Sequence, residues 1–464
     1  MAKSLIYLYF MNFKNFIFVV GAVFLMGCAS THEQLYEKKL AFYSYIAGGV
    51  EDSSPSLEYQ PDVYATPASC QKVVTALLSY KVLGSEYRFQ TQLMAAKKYG
   101  KIHDLVIRFS GDPTLTSQDL IDLLNIVNAR NIPGTIFIDA SGFKTPPYSP
   151  NLVIDDMGTA YSTPVSASSL DQNLIAIDIT PGFYIGQAHI ENDAGYSIDS
   201  NVITNDQKSK VSIKQDGNAL KATGNIHIAG PIITLKKSPK NIENFILKKF
   251  KNILKAVEIQ GRVVYLTDSS KLPAKLEQLG SHFSKPLSVI IPPALKRSDN
   301  LVFDSLYLKL IHMQGDEINE WQDGDKIIKQ LLKTHFLIDM DGALFVDGSG
   351  LSRYNRVQPR QLFKLLQKGY EVKDFVAALP YPGEQLTTLA NRKGLPSSLR
   401  AKTGGMSGIS GLCGYVGSDA SKQVFVVIAN SFKPPISETT STIDEFILDY
   451  FGSNDDSAKQ NIVL

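Results

Sequence analysis

Residues 66–84 predict a helix whose first turn carries a serine and a lysine on one face. Thr66 and Pro67 are typical of a helix start, and Gly84 is typical of a helix end. Ser69 and Lys72 are three residues apart, so the lysine amine can reach the serine hydroxyl. A serine becomes a good nucleophile when a base accepts its proton, and lysine can be that base when burial and a second cation lower its pKa.

The chain contains a second Ser-x-x-Lys pattern that does not predict the same chemistry. It runs from Ser141 to Lys144, with Gly142 inside it and Pro146 and Pro147 just beyond. Glycine and proline disfavour a helix, so nothing aligns this serine with its lysine. The helical context therefore favours Ser69 as the nucleophile.

Two further short motifs supply the remaining groups that such a nucleophile needs. Ser298-Asp299-Asn300 lies at a predicted helix boundary. Ser298 could relay a proton to a leaving amine, and Asn300 could hold a substrate amide and orient Lys72. Alone, this motif is equally typical of a helix cap followed by a turn.

The third motif, Lys402-Thr403-Gly404, lies in a predicted strand. Lys402 would be the second cation that lowers the pKa of Lys72, and we expect both amines to converge on the Ser69 hydroxyl. Residues alternate across a strand, so Thr403 and Gly405 share the face opposite Lys402 and Gly404. Thr403 could bind a terminal carboxylate, and Gly404 would let the strand approach the helix closely. Alone, Lys402 could equally be a surface cation.

Composition excludes several classes of function. The 464 residues are 44% hydrophobic and 20% charged, with a formal net charge of +2, which gives no global field to attract nucleic acid. The seven histidines show no metal-ligand spacing, so we predict no metal and no cofactor. Beyond residue 28 the cysteines are Cys70 and Cys413, predicted as buried free thiols, with a bridge between them as the alternative.

The N-terminus predicts export. Lys14 precedes an apolar run over residues 16–26, which is too short to span a membrane and is typical of a secretory signal; Met11 is an alternative start. The run ends at Gly27-Cys28, which resembles a bacterial lipoprotein box, so we predict a signal over residues 1–28 and lipidation of Cys28. An ordinary signal or an uncleaved anchor is the alternative. The residues after Cys28 are not acidic, which favours outer-membrane anchoring that faces the periplasm.

The remaining chain predicts two interleaved parts. Short strand-like runs, punctuated by Gly, Pro, Asn and Asp, fill residues 87–240, with one clear helix over residues 117–129. Mixed helix and strand patterns occupy residues 29–86 and 241–464, and the helix at 241–256 is expected to return the chain to this part. The sequence does not indicate the oligomeric state of the protein.

The three motifs, in this order, are the signature of penicillin-binding proteins and serine β-lactamases. The chain resembles the D-alanyl-D-alanine carboxypeptidase/endopeptidases among the low-molecular-mass class C penicillin-binding proteins. The wide separation of Ser69 from Ser298 agrees with this family, which carries inserted domains there, whereas β-lactamases place these motifs much closer. The resemblance is carried by phrases at residues 67–72, 111–115, 296–300, 347–353 and 401–404.

The resemblance implies an α/β (α+β) transpeptidase/β-lactamase-like domain, split by an inserted strand-rich domain. It implies peptidoglycan stem peptides and β-lactams as ligands, and penicillin that acylates Ser69. Asp156, Tyr161 and Arg353 fall where relatives receive the diaminopimelate end of a crosslink. Nucleic acid is not an expected partner, and a membrane is expected only through the lipid anchor.

Two departures from the family pattern bear on activity. Gly405 stands where relatives carry Ser or Thr, so one hydroxyl that would share the substrate carboxylate is absent, and D-Ala release is expected to suffer more than crosslink cleavage. Pro292-Pro293 is expected to distort the approach to Ser298. A serine β-lactamase and a catalytically weak wall-binding lipoprotein are the alternative functions.

Overall fold

The structure, a computed structural model, describes residues 41–315, 318–433 and 435–452. The predicted signal, Cys28 and Met11 therefore lie outside the described residues. None of the helices within these ranges combines the length and apolar character needed to cross a bilayer. The strands are β1 Phe42–Gly49, β2 Leu57–Tyr59, β3 Gln90–Lys98, β4 Lys101–Arg108, β5 Asn131–Asp139, β6 Ile175–Thr180, β7 Gly186–Gln187, β8 His189–Asn192, β9 Ser197–Asn205, β10 Lys210–Asp216, β11 Ala219–His227, β12 Ile233–Lys237, β13 Gln260–Leu266, β14 Glu277–Phe283, β15 Arg400–Met406, β16 Ile409–Val416 and β17 Gln423–Asn430.

The helix at Lys373–Ala378 was not predicted from the sequence. Helices form in the predicted segments at residues 117–129 and 241–256. Their ends differ from the predictions by a few residues, because the last turn of a helix depends on its tertiary neighbours. The α-helices are α1 Lys72–Leu78, α2 Ser117–Leu124, α3 Ile242–Ala256, α4 Leu287–Arg297, α5 Asn300–His312, α6 Gly324–Phe336, α7 Pro359–Gly369, α8 Lys373–Ala378 and α9 Ile436–Phe451.

Both ends of the described chain meet in one antiparallel sheet, in the order β15-β16-β17-β1-β2. Strand β1 pairs with β17 along its full length, from Phe42 opposite Asn430 to Gly49 opposite Gln423. Every residue of β16 is buried, because α1 and α7 cover one face of the sheet and α9 covers the other. The expected mixed α/β domain built from both chain ends is confirmed.

The predicted nucleophile helix forms, but it starts differently from the expectation. A 3₁₀ turn, Ala68–Gln71, leads into α1, and a wider turn, Ser79–Leu83, ends at Gly84 with φ 89°. Thr66 does not cap the helix, because its backbone is held by Asn430 at the end of β17. The start of the helix is therefore tied to the central sheet.

The inserted region contains three sheets, in the orders β12-β6-β8, β10-β11-β9-β7 and β13-β5-β4-β3-β14. We predicted that the chain leaves this region at residue 241. Strand pairing instead favours a boundary after Phe283, because β13 pairs with β5 and β14 pairs with β3, and α3 packs into the core of the insertion. We therefore propose that residues 87–283 form the insertion.

Helix α3 carries four lysines, and the sequence predicts a solvated basic face for them. Lys249 differs: only 4% of its side chain is exposed, and its ammonium lies 2.7 Å from both Asp171 and Asp193. A buried ammonium needs such partners, because removing a charge from water without compensation is costly. This ion cluster fixes α3 against the loops of the inserted region.

The two prolines before Ser298 lie inside α4, and the expected distortion is not present. The helix continues to Arg297, and Ser298 ends it in the left-handed conformation with φ 60°. Pro292 and Pro293 have no N–H, which frees the carbonyls of Ser288 and Val289 in the first turns. Val289 is 47% exposed, so water can reach this end of the helix. The backbone bonds from Ser298 and Asp299 back into α4 then set the turn that follows.

Candidate active site

Ser69 and Lys72 are in direct contact at the start of the nucleophile helix. Lys72 Nζ lies 2.9 Å from Ser69 Oγ, and it donates to Asn300 Oδ1 at 2.7 Å and to the Ser349 carbonyl at 2.6 Å. The Lys72 side chain is fully buried. Three fixed acceptors therefore hold the amine against the serine hydroxyl in one orientation.

Lys402 and Ser298 form a second pair across the cleft. Lys402 Nζ donates to Ser298 Oγ at 3.0 Å and to the Thr403 carbonyl at 2.7 Å. We expected both amines to converge on the Ser69 hydroxyl. The side-chain hydrogen bond of Lys402 is to Ser298, while its charge acts on Lys72, the amine that contacts Ser69. The left-handed turn at Ser298 places its hydroxyl toward β15, where the amine meets it.

Both lysines have lowered pKa values. Burial, reinforced by the positive charge of Lys402, lowers the pKa of Lys72 to about 7. Burial lowers the pKa of Lys402 to about 8. Near neutral pH a substantial fraction of Lys72 is therefore uncharged and able to accept a proton.

Two buried carboxylates hold the loop whose Ser349 carbonyl accepts from Lys72. The sequence did not single out either of them as functional. Asp304 accepts from the backbone N–H of Gly348 at 3.0 Å and of Ser349 at 2.8 Å, and the Ser349 carbonyl in turn accepts from Lys72. Asp304 lies four residues after Asn300 on α5, which is the helical spacing that could have identified it.

The second carboxylate, Asp347, belongs to the family phrase at residues 347–353. It accepts from the backbone N–H of Gly350 at 2.7 Å and of Ser352 at 2.6 Å. Burial raises the pKa of Asp347 and of Asp304. Both carboxylates fix the loop that carries the Ser349 carbonyl.

The two glycines of β15 have different surroundings. A Cβ on Gly404 would lie 2.6 Å from the Pro67 carbonyl oxygen, so only glycine permits this approach of strand to helix. A Cβ on Gly405 would meet only Ile436 Cδ1, at 3.4 Å. Gly404 is therefore sterically required, whereas Gly405 has room for a side chain.

A cleft of about 660 Å³ opens above the two lysines. Gly405 lines this cleft, whereas the two residues before it, Thr403 and Gly404, do not. The predicted site residues that line the cleft are Ser69, Asp156, Tyr161, Ser298, Asn300, Arg353 and Gly405.

The three residues assigned to a diaminopimelate end lie on the wall of this cleft. Tyr161 donates from its hydroxyl to Asp156 at 2.5 Å, and its carbonyl accepts from Asn300 Nδ2 at 2.8 Å. Arg353 donates to the Ser407 carbonyl at 3.0 Å, just beyond β15. An acid, a phenol and a guanidinium therefore face one space.

The thiols of Cys70 and Cys413 are free and buried, as predicted, and the alternative bridge is not formed. Cys70 Sγ lies 3.7 Å from the Lys402 carbonyl, between the nucleophile turn and the sheet. Both cysteines therefore serve as packing groups beneath the site.

The fold and this arrangement of Ser-Lys, Ser-Asn and Lys-Thr-Gly define a serine enzyme of the penicillin-binding class. The model of the D-Ala-D-Ala carboxypeptidase 3 (S13) family matches residues 30–447, so the chain belongs to this family of serine-type carboxypeptidases. The predicted family, fold class and type of enzyme are thereby confirmed.

Relatives of known name agree with this membership. The chain is 26% identical over 430 residues to D-alanyl-D-alanine carboxypeptidase DacB of Haemophilus influenzae, covering 84% of this chain and 85% of the relative. It is 28% identical over 406 residues to a D-alanyl-D-alanine carboxypeptidase of Actinomadura sp. (strain R39), covering 80% and 74%. The crystal structure of penicillin binding protein 4 (dacB) from Haemophilus influenzae superposes with a TM-score of 0.77 at 23% identity, covering 91% of this chain and 98% of that one.

Proposed function

We propose that the protein cleaves peptidoglycan stem peptides through an ester on Ser69, at D-Ala-D-Ala ends and at D-Ala–diaminopimelate crosslinks. The observation that carries this proposal is the 2.9 Å contact between Ser69 Oγ and a buried lysine amine with a pKa of about 7. The family supports D-Ala-D-Ala peptides as substrates. β-Lactams are proposed as acylating ligands, since the Haemophilus protein has also been solved in complex with a β-lactam.

The proposed reaction begins when uncharged Lys72 accepts the proton of Ser69. The serine oxygen attacks the carbonyl carbon of the penultimate D-Ala, and the C–N bond to the terminal residue breaks. Ser298, held by Lys402, passes a proton to the leaving amine. The proton that Lys72 accepted passes to Ser298, which leaves Lys72 uncharged again. Lys72 then takes a proton from water, the water oxygen attacks the ester carbon, and the C–O bond to Ser69 breaks. Lys72 returns the proton to Ser69 Oγ, and the peptide leaves as a carboxylic acid.

We propose that substrate recognition is divided among strand β15, the inserted region and the loop that carries Arg353. Thr403, with Lys402 as the nearby cation, is proposed to bind a terminal carboxylate. Asp156 and Tyr161 are proposed to bind the amine of the diaminopimelate end, and Arg353 its carboxylate. This division allows one acyl-enzyme to arise from two kinds of leaving group.

Introducing serine at position 405 is expected to raise D-Ala release from a D-Ala-D-Ala tripeptide. The added hydroxyl would donate to the terminal carboxylate, and a hydrogen bond to a charged group is worth about 1.5–3 kcal/mol, so kcat/KM should rise about tenfold or more. The measurement compares this release with cleavage of a crosslinked dimer, which should change less.

The matched control for Gly405→Ser is Gly404→Ser, which should reduce both activities because its Cβ meets the Pro67 carbonyl. A wild-type enzyme that already releases D-Ala far faster than it cleaves the dimer, with no gain in Gly405→Ser, would contradict this account of position 405.

We also propose that the protein acts in the periplasm, anchored to the outer membrane through lipidated Cys28. The Gly27-Cys28 boundary and the family's cell-wall substrate support this location. Metabolic labelling with a radioactive fatty acid should mark the wild-type protein and not Cys28→Ala. Equal labelling of both would exclude this anchor.

A further inference from the structure

A second cleft, of about 670 Å³, lies in the inserted region and shares no lining residue with the cleft at Ser69. It is located where the parallel strands β5 and β13 end at their carboxyl termini, next to the N-terminus of α3. Ligands of open α/β sheets commonly bind in this position. Buried Ala140, Phe143 and Val165 give the cleft an apolar floor.

The rim of the second cleft carries four exposed charges. Lys144, Lys240, Glu243 and Asp268 line it, and none of them forms a salt bridge with another described residue. Thr145 adds a buried hydroxyl that has no hydrogen-bond partner among the described residues. Asp268 also accepts from the Ser270 backbone N–H at 2.9 Å, and its other carboxylate oxygen is left for a ligand. Two exposed cations and two exposed anions on one rim suit a ligand that carries both kinds of charge.

One loop connects the two clefts. Pro147 and Val165 line the second cleft, and the Val165 N–H donates to the Pro147 carbonyl at 2.7 Å, which closes the neck of the loop over residues 148–164. Residues at the tip of this loop line the active-site cleft, and the Tyr161 carbonyl there accepts from Asn300. A ligand in the second cleft would therefore lie against the neck of the loop that walls the active site.

We propose that the second cleft binds a neighbouring disaccharide-peptide unit of the peptidoglycan polymer while Ser69 acts on another unit. This inference rests on the proposed function. Stem peptides carry free carboxylates and the free amine of a diamino acid, which match the lysines and the acids of the rim. The methyl groups of the sugar and of the alanines match the apolar floor. A second point of attachment raises the effective concentration of polymer at Ser69 without changing the chemical step.

The test compares the activity of each variant on polymeric peptidoglycan with its activity on small substrates. In the variant Lys144→Glu/Lys240→Glu, kcat/KM for isolated wall sacculi is expected to fall about tenfold, since bivalent attachment contributes through effective concentration. Release of D-Ala from an acetylated D-Ala-D-Ala tripeptide, and acylation by penicillin, should stay within about twofold, because neither probe carries a neighbouring unit that could occupy the second cleft. The matched control is Lys208→Glu/Lys210→Glu, which makes the same charge change at exposed lysines that do not line the cleft.

A second variant tests the role of the cleft without changing its charge. Thr267 is exposed on the cleft wall, and Thr267→Trp would narrow the cleft without altering charge. It should lower the rate on sacculi and leave the tripeptide rate unchanged.

The proposal is overturned if sacculi are cleaved at the control rate by both cleft variants, or if the tripeptide and the sacculi lose activity equally. A wild-type protein that neither releases D-Ala nor reacts with penicillin would instead overturn the proposed function, which is a distinguishable result.

Discussion

Replacing Lys72 with methionine is expected to slow acylation of Ser69 by penicillin about 10³-fold. A positioned general base contributes roughly 10² to 10⁴ in rate, and Lys72 is the amine in contact with the Ser69 hydroxyl. Methionine is close to lysine in length and removes a buried charge, so the fold should tolerate it. Acylation is measured from the mass gain of the intact protein over time, with melting temperature recorded alongside.

The matched control for this variant is Lys309→Met on α5. Lys309 is a partly buried lysine whose pKa is lowered by burial, as is that of the fully buried Lys72, but Lys309 makes no contact with Ser69 and does not line the active-site cleft. The Lys309→Met protein should be acylated by penicillin at close to the wild-type rate. A Lys72→Met protein that acylates as fast as Lys309→Met would show that another group takes the serine proton.

Replacing Lys402 with methionine is expected to lower acylation at pH 7 and to move its dependence on pH. The charge of Lys402 disfavours a second positive charge on Lys72, so its removal raises the pKa of Lys72. Less of the base is then uncharged at pH 7, and the acidic limb of the rate profile shifts to higher pH. Loss of the bond to Ser298 also weakens proton delivery, so the fall at pH 7 should be at least about tenfold.

The pH dependence of acylation distinguishes two roles of Lys402: setting the pKa of Lys72, or only supporting the structure. In the wild type the rate should rise with pH through about 7, where Lys72 loses its proton, and decline above about 8, where Lys402 loses its charge. In Lys402→Met the decline above pH 8 should disappear. A variant that is slower by a constant factor at every pH would mean that Lys402 does not set the basicity of Lys72.

The sequence alone predicted most of the groups that the structure brings together at the candidate site, because the proposed chemistry requires fixed residue types on defined elements. Ser69 and Lys72 are local to one helix turn, so their contact follows from helical spacing. Ser298, Asn300 and Lys402 lie hundreds of residues away, and only the family pattern brought them to the same site. The bond of Lys402 to Ser298 rather than to Ser69 depends on the left-handed turn after α4, which no pattern indicated.

The features that were missed depend on tertiary contacts. Asp304 is one acid among several on a helix pattern, and its role emerges only when the loop at Gly348 and Ser349 packs against it. Lys249 matches a solvated basic face in sequence, yet Asp171 and Asp193 come from distant loops to pair with it. The boundary that we propose after Phe283 rests on the same kind of contact, since β14 pairs with β3, a strand far back in the chain.

The central claim is that an uncharged Lys72 activates Ser69, and one measurement tests it most directly. Purified protein is reacted with benzylpenicillin across a range of pH, the rate of mass gain is recorded, and the modified peptide is mapped. We predict one adduct, on Ser69, absent from Ser69→Ala, with a rate that rises with pH through about 7. An adduct on another residue, or a rate independent of pH between 6 and 8, would contradict the account.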